Sequence, residues 1–100
     1  MTEQITDQAL ARKKAMDLLA RREHSRLELY RKLQQRKFAS HIINSELDKL
    51  IDEGLLSDER FAEAYLRSRF ERGKGPNIIF SELLKRGVDE VLVNHALESI

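Results

Sequence analysis

The 100-residue chain has no cysteine, no tryptophan, one proline and four glycines, and its six aromatic residues are two tyrosines and four phenylalanines. Without cysteine there can be no disulfide framework, no CxxC redox pair and no thiolate zinc site, which suits a reducing compartment. No apolar run approaches the roughly 20 residues that a bilayer span needs. The opening MTEQITD is acidic, where a secretion signal would be basic and then apolar. The chain therefore reads as cytoplasmic and unprocessed, with no membrane partner. Its 41% apolar content is too high for a disordered tail. A chain this short buries about 60–65% of its unfolded surface, so one continuous core is expected.

Net charge is also nearly missing, at +1. The total hides a pattern. Residues 12–38 carry ten basic and three acidic side chains, and residues 64–87 carry six and two, giving blocks of +7 and +4. Residues 39–63 hold two basic and seven acidic side chains, and residues 88–100 hold three acidic and no basic ones, giving −5 and −3.

Hydrophobic spacing is helical throughout, and no strand pattern occurs. Asp7 is placed to cap a first helix running to about Glu23, with Ala11, Ala15, Leu18 and Leu19 on one stripe. Ser25 and Glu28 form a capping box for a second helix that buries Leu29 and Leu33. Ser40 is expected to cap a third, with Ile43, Leu47 and Leu50 inward and Gly54 at its end. Ser57 caps a fourth helix carrying Phe61, Ala64 and Tyr65, and Pro76 opens a fifth that Gly87 ends. Asp89 caps a sixth, whose apolar face is Leu92, Val93, Ala96, Leu97 and Ile100.

A shift of 50 positions superposes the second and third helices on the fifth and sixth. Leu29 meets Ile79, Tyr30 meets Phe80, Leu33 meets Leu83, Arg36 meets Arg86 and Phe38 meets Val88. Ile42, Ile43, Leu47 and Leu50 likewise meet Leu92, Val93, Leu97 and Ile100. Such a period marks a repeat architecture. The expected fold is all-α: two tandem three-helix repeats, residues 1–55 and 56–100, forming one continuous domain as an elongated, right-angled or curved array.

Few motifs carry chemistry. Asp48 to Glu59 imitates a calcium loop, but Leu50 occupies a ligand position and Gly54 falls one place late. Gly73-Lys74-Gly75 lacks the spacing of a phosphate loop and follows no strand. His24, His41 and His95 have no metal-ligand spacing, and Ser25, Ser40 and Ser57 are explained as caps rather than nucleophiles. Neither an enzyme, a cofactor nor a metal is expected. What remains is basic. Arg21 and Arg22, and Arg67, Arg69, Arg72 and Lys74, gather near the ends of the first and fourth helices. They form either solvated faces, with Glu28–Lys32 and Glu82–Arg86 paired at i, i+4, or a periodic binding surface.

The stretches from Ala20 to Leu29, Glu53 to Ala62 and Arg67 to Arg69, with Arg72-Gly-Lys-Gly-Pro76 before Glu82-Leu-Leu-Lys-Arg-Gly-Val88, resemble the RecX family of bacterial regulators in order and spacing. The resemblance runs from Ala15 to Ile100. It implies a tandem three-helix array that binds the RecA recombinase filament on DNA and limits its ATPase, strand-exchange and coprotease activities in repair, recombination and the SOS response. It also implies a modulator without a catalytic centre, monomeric, with only secondary contact to DNA. Arg21, Arg22, Arg67, Arg69, Arg72, Lys74, Gly75 and Pro76 stand in the matching motifs and are the expected contact residues. Two departures accompany it: relatives usually have a third three-helix unit, and Asn77-Ile-Ile-Phe80 stands where they tend to place basic residues. Ile78 and Phe80 are accordingly expected to be partly exposed. A helix-turn-helix DNA binder is the alternative, but the third helix is acidic where a recognition helix should not be.

Overall fold

The computed structural model describes residues 6–99, and among them there are six α-helices and no strand. They are α1 (Asp7–Arg21), α2 (Arg26–Gln35), α3 (Ser40–Asp52), α4 (Asp58–Glu71), α5 (Pro76–Lys85) and α6 (Glu90–Glu98). Within the first unit α1, α2 and α3 pack pairwise, and α4, α5 and α6 repeat the arrangement. The array is long and narrow, 56 × 24 × 22 Å.

Local chemistry sets most of the helix starts. The Ser25 hydroxyl accepts the Glu28 N–H at 3.1 Å while the Glu28 carboxylate accepts the Ser25 N–H at 3.1 Å, completing the capping box. Ser57 and Asp89 cap α4 and α6, and Pro76 occupies the first turn of α5. Two caps differ from expectation. Thr6, not Asp7, caps α1, because Thr6 is the last extended residue and Asp7 is already helical. At α3 the cap is Ala39, with no side-chain bond, and Ser40 lies inside the helix with its hydroxyl accepting from Tyr30 Oη at 3.1 Å. Helix α1 stops at Arg21 rather than near Glu23, since Arg22 turns to extended backbone.

The core is not continuous. Ala15, Leu18, Leu29, Leu33, Ile43, Leu47, Leu50 and Leu56 form one buried cluster, and Phe61, Ala62, Leu66, Ile79, Leu83, Val88, Val93 and Ala96 form another. The physical reason is that the surfaces facing each other between the units are polar and meet through hydrogen bonds. Ala62 and Leu66, missed in the sequence, complete the buried face of α4, while Ala64 and Tyr65 are only half-buried. Ile78 is 52% exposed and Phe80 half-buried, as expected, and Ile100 lies outside the described residues.

The repeat extends to atomic detail in the turns that end α2 and α5. Arg36 and Arg86, the two C-caps, have φ/ψ of −88/9 and −87/6. Next come Lys37 at φ 66 and Gly87 at φ 85, both left-handed. The N–H groups of Phe38 and Val88 then bond back to the Leu33 and Leu83 carbonyls at 3.4 and 3.2 Å, a Schellman-type closure in each unit. Only Gly87 faces a neighbour closely: a Cβ there would stand 2.5 Å from Leu27 Cβ. Glycine at this position is thus required twice, by φ and by the approach of the first unit.

Candidate partner-binding surface

The basic residues divide into engaged and unengaged groups. Arg69 binds Glu82 of α5 through two hydrogen bonds, 3.1 and 2.9 Å, so this charge ties α4 to α5. That hydrogen bond holds the Glu82 carboxyl below its usual range and raises the Arg69 guanidinium. Arg22 bonds the Glu28 carboxylate at 3.0 and 3.3 Å and the Glu23 carbonyl at 2.8 Å. The expected pairs Glu28–Lys32 and Glu82–Arg86 are absent, because both carboxylates find tertiary partners first. Arg21, Arg67, Arg72 and Lys74 are exposed, and among the described residues none has a carboxylate within ion-pair distance.

Helix geometry separates these residues further. Arg67 and Arg69 are two positions apart on α4, about 160° around the axis at 3.6 residues per turn, so they do not share a face. Arg67 lines a groove with Glu63, Leu66, Phe70, Glu71 and Ser99, whereas Arg69 turns toward α5. Arg72 is the C-cap of α4, as Arg22 is of α1, 50 positions earlier. Gly75 caps α5 in the place where Ser25 caps α2.

The densest polar arrangement is one the sequence did not single out, at the junction of the two units. Ser25, fully buried, donates its hydroxyl to the Arg86 carbonyl at 2.6 Å. Asp58 accepts the N–H of Arg26 at 2.8 Å, so a carboxylate of the second unit satisfies an orphan donor of α2. Glu23 pairs with Arg60 at 3.1 Å, and Glu28 stands 3.8 Å from Arg86, whose guanidinium lies 4.7 Å from the Tyr65 ring centroid. Burial pushes the Asp58 carboxyl up, against the opposing pull of the Arg26 N–H. Burial also acts to raise Glu28, but the hydrogen bonds from Arg22 and the Ser25 N–H outweigh it and hold this carboxyl below its usual range. His24, 2% exposed, places Nδ1 3.0 Å from the Arg22 carbonyl, and burial lowers its pKa. Beside these groups lies a groove of about 410 Å³ that includes Phe61, Tyr65 and Ser68. The Ser25–Glu28 capping box and the alignment of Arg36 with Arg86 were the sequence signals at this corner, and neither showed that the two meet.

A mixed-charge surface of this kind offers hydrogen bonds and ion pairs to a macromolecule. Among the described residues no three His, Cys, Asp or Glu side chains are grouped to hold a metal, and no helix is long and apolar enough to cross a membrane.

Comparison with known proteins matches residues 11–50 to the first three-helix domain of RecX and residues 57–97 to its second. The regulatory protein RecX of Pseudomonas putida strain F1 is 50% identical over 86 residues, covering 86% of this chain and 55% of the relative. That of Pseudomonas syringae pv. tomato DC3000 is 48% identical over 87 residues, covering 87% of this chain and 56% of the relative. The crystal structure of RecX from Lactobacillus salivarius superposes with a TM-score of 0.83 at 30% identity, across 91% of this chain and 60% of that one. The chain thus spans little more than half the length of the curated relatives it matches. With both three-helix domains matched in order and half the aligned residues identical, the chain belongs to the RecX family of regulatory proteins.

Proposed function

We propose that this chain binds the RecA recombinase filament on DNA and restrains its ATPase, strand-exchange and coprotease activities. Family membership supports RecA as the partner. The observation that carries the reading is the 56 Å array with Arg67, Arg72 and Lys74 exposed toward the C-terminal end of α4, none of them within ion-pair distance of a carboxylate among the described residues. A narrow body with basic blocks between acidic ones suits a groove lined by protein charges of both signs. Binding that favours one filament arrangement over others slows turnover by shifting populations. Arg69 and Arg22 act inside the fold in this scheme, and Gly75 and Pro76 shape the corner that presents Lys74.

The DNA-reader alternative is disfavoured by the third helix of each unit. α3 carries Glu46, Asp48 and Asp52 against one lysine, and α6 carries Glu90 and Glu98 with no Lys or Arg. A recognition helix enters a phosphate-lined groove and should not be acidic.

The test is RecA's DNA-dependent ATPase measured while this protein is added up to a stoichiometric ratio. Progressive loss of activity is expected. The triple reversal Arg67→Glu, Arg72→Glu, Lys74→Glu should weaken inhibition about tenfold with helicity unchanged, a loss equivalent to about 1.4 kcal/mol. An ATPase that is untouched by saturating folded protein overturns the proposal. A salt dependence of binding to bare DNA near a log-log slope of −0.9 per phosphate contact would favour the DNA reader instead.

A further inference from the structure

The junction is a lock whose two halves can be listed by chemistry. On the first unit it is a helix start, Ser25 at the cap and Glu28 three residues on. On the second it is a helix end, where the Arg86 carbonyl accepts the Ser25 hydroxyl at 2.6 Å and the Arg86 guanidinium approaches Glu28 at 3.8 Å. The receiving half exists twice. The turn Arg36-Lys37-Phe38 has the dihedrals and backbone bonds of Arg86-Gly87-Val88, so the Arg36 carbonyl is presented in the same way at the end of the first unit away from the second, with the exposed Arg36 side chain beside it. Beside it is a groove of about 330 Å³ lined by Leu10, Lys13, Lys14, Asp17, Arg36 and Phe38. Arg36 and Lys37 are exposed, and neither they nor Lys14 meet a carboxylate among the described residues, while Lys13 is 3.7 Å from Asp17.

We propose that this end of the molecule docks the N-terminus of a partner protein's α-helix that carries its own capping box, Ser or Thr at the cap and Glu at the third helical position. The cap hydroxyl would bond the Arg36 carbonyl, and the Glu would pair with Arg36, with Lys14 adding positive charge. The positive character of the groove favours such an acidic first turn.

One difference between the two receiving halves sets specificity. Gly87 leaves space for Leu27, whose Cβ would lie 2.5 Å from any Cβ at that position. Lys37 has that Cβ. The second helical position of the partner, which corresponds to Leu27, must therefore be glycine, giving the pattern Ser/Thr-x-Gly-Glu at a helix start. This inference is independent of the filament proposal, since it is read on the chain alone.

The probe is a 16-residue alanine-based helical peptide beginning Ser-Asp-Gly-Glu, titrated into the isotopically labelled full chain and followed by amide chemical shifts. Saturable shifts confined to Arg36, Lys37, Phe38 and the Lys13–Lys14 turn are expected. A second peptide beginning Ser-Asp-Leu-Glu should bind about tenfold more weakly, and Lys37→Gly should erase the difference. Arg36→Ala, an exposed substitution, should weaken the glycine peptide about tenfold. The proposal is overturned by an absence of shifts at the turn, by equal affinity for the Arg36→Ala chain, or by a leucine peptide that binds as well as the glycine one. Single-stranded DNA that saturates the same residues while the peptide does not would identify the patch as a phosphate contact and overturn it too.

Discussion

Gly87 and Lys37 show how one backbone conformation takes different residues according to what stands nearby. Both turn left-handed, but only Gly87 has the first unit against it. Gly87→Ala should cost about 3 kcal/mol, because it adds strain at positive φ to a 2.5 Å collision with Leu27. Gly54→Ala, also at positive φ but with nothing within 4 Å, should cost about 1 kcal/mol. Urea denaturation of the two variants measures the difference, and equal losses would show that the contact with Leu27 yields easily. His24 gives a pH dependence of known sign. Its buried ring favours the neutral form, so the unfolded chain takes up a proton more readily than the fold. The contribution is complete above the ordinary value of 6.5 and is lost as pH falls below it, until the folded ring itself titrates. Melting temperature should therefore decline from about pH 7.5 to about pH 5.5, and His24→Gln should flatten that decline. An unchanged slope in the variant would assign the effect elsewhere.

At the scale of helices, starts marked by local chemistry were readable: Ser25 with Glu28, Ser57, Pro76 and Asp89 all stand where their hydrogen bonds or fixed φ require. The starts of α1 and α3 were displaced by one residue, since Thr6 next to Asp7, and Tyr30 competing for the Ser40 hydroxyl, are choices made by the backbone and by tertiary contact. The same limit explains the ion pairs. Spacing along one helix suggested Glu28–Lys32 and Glu82–Arg86, but Arg22, Arg86 and Arg69 arrive from other turns, and no one-dimensional pattern shows their approach. The basic cluster was legible as composition and not as geometry, because Arg67 and Arg69 look adjacent in sequence while pointing apart on α4. Ser25 carries two duties, capping α2 and bonding the Arg86 carbonyl. Ser25→Ala should accordingly cost about 2 kcal/mol, against about 1 kcal/mol for Ser57→Ala, which loses a cap alone. Thermal or urea unfolding distinguishes them, and matched losses would mean that the bond across the junction contributes nothing net.

For the whole molecule, two apolar clusters joined by a polar seam imply two partly independent stability units. Leu33→Ala and Leu83→Ala remove equivalent, fully buried side chains and should each cost about 3 kcal/mol. Native-state hydrogen exchange should show protection falling mainly in α1–α3 for the first and in α4–α6 for the second. A uniform loss over all six helices would show instead that the seam couples the halves into one cooperative body. The repeat itself was visible in the 50-residue register, whereas the break in the core was not, since apolar periodicity reports which face is buried and not which unit it is buried in. The seam has one more consequence, for polymerisation. In a head-to-tail contact between identical copies, the far corner of the second unit would have to offer Ser25, Leu27 and Glu28 to the Arg36 turn, but 50 positions on the chain has Gly75, Asn77 and Ile78. That end has neither the hydroxyl nor the carboxylate, and exposed Arg72 and Lys74 would meet Lys14, Arg36 and Lys37 of the next copy with like charge. The Gly75 corner and the Arg36 turn thus do not complement each other, which disfavours head-to-tail growth of copies through these two surfaces.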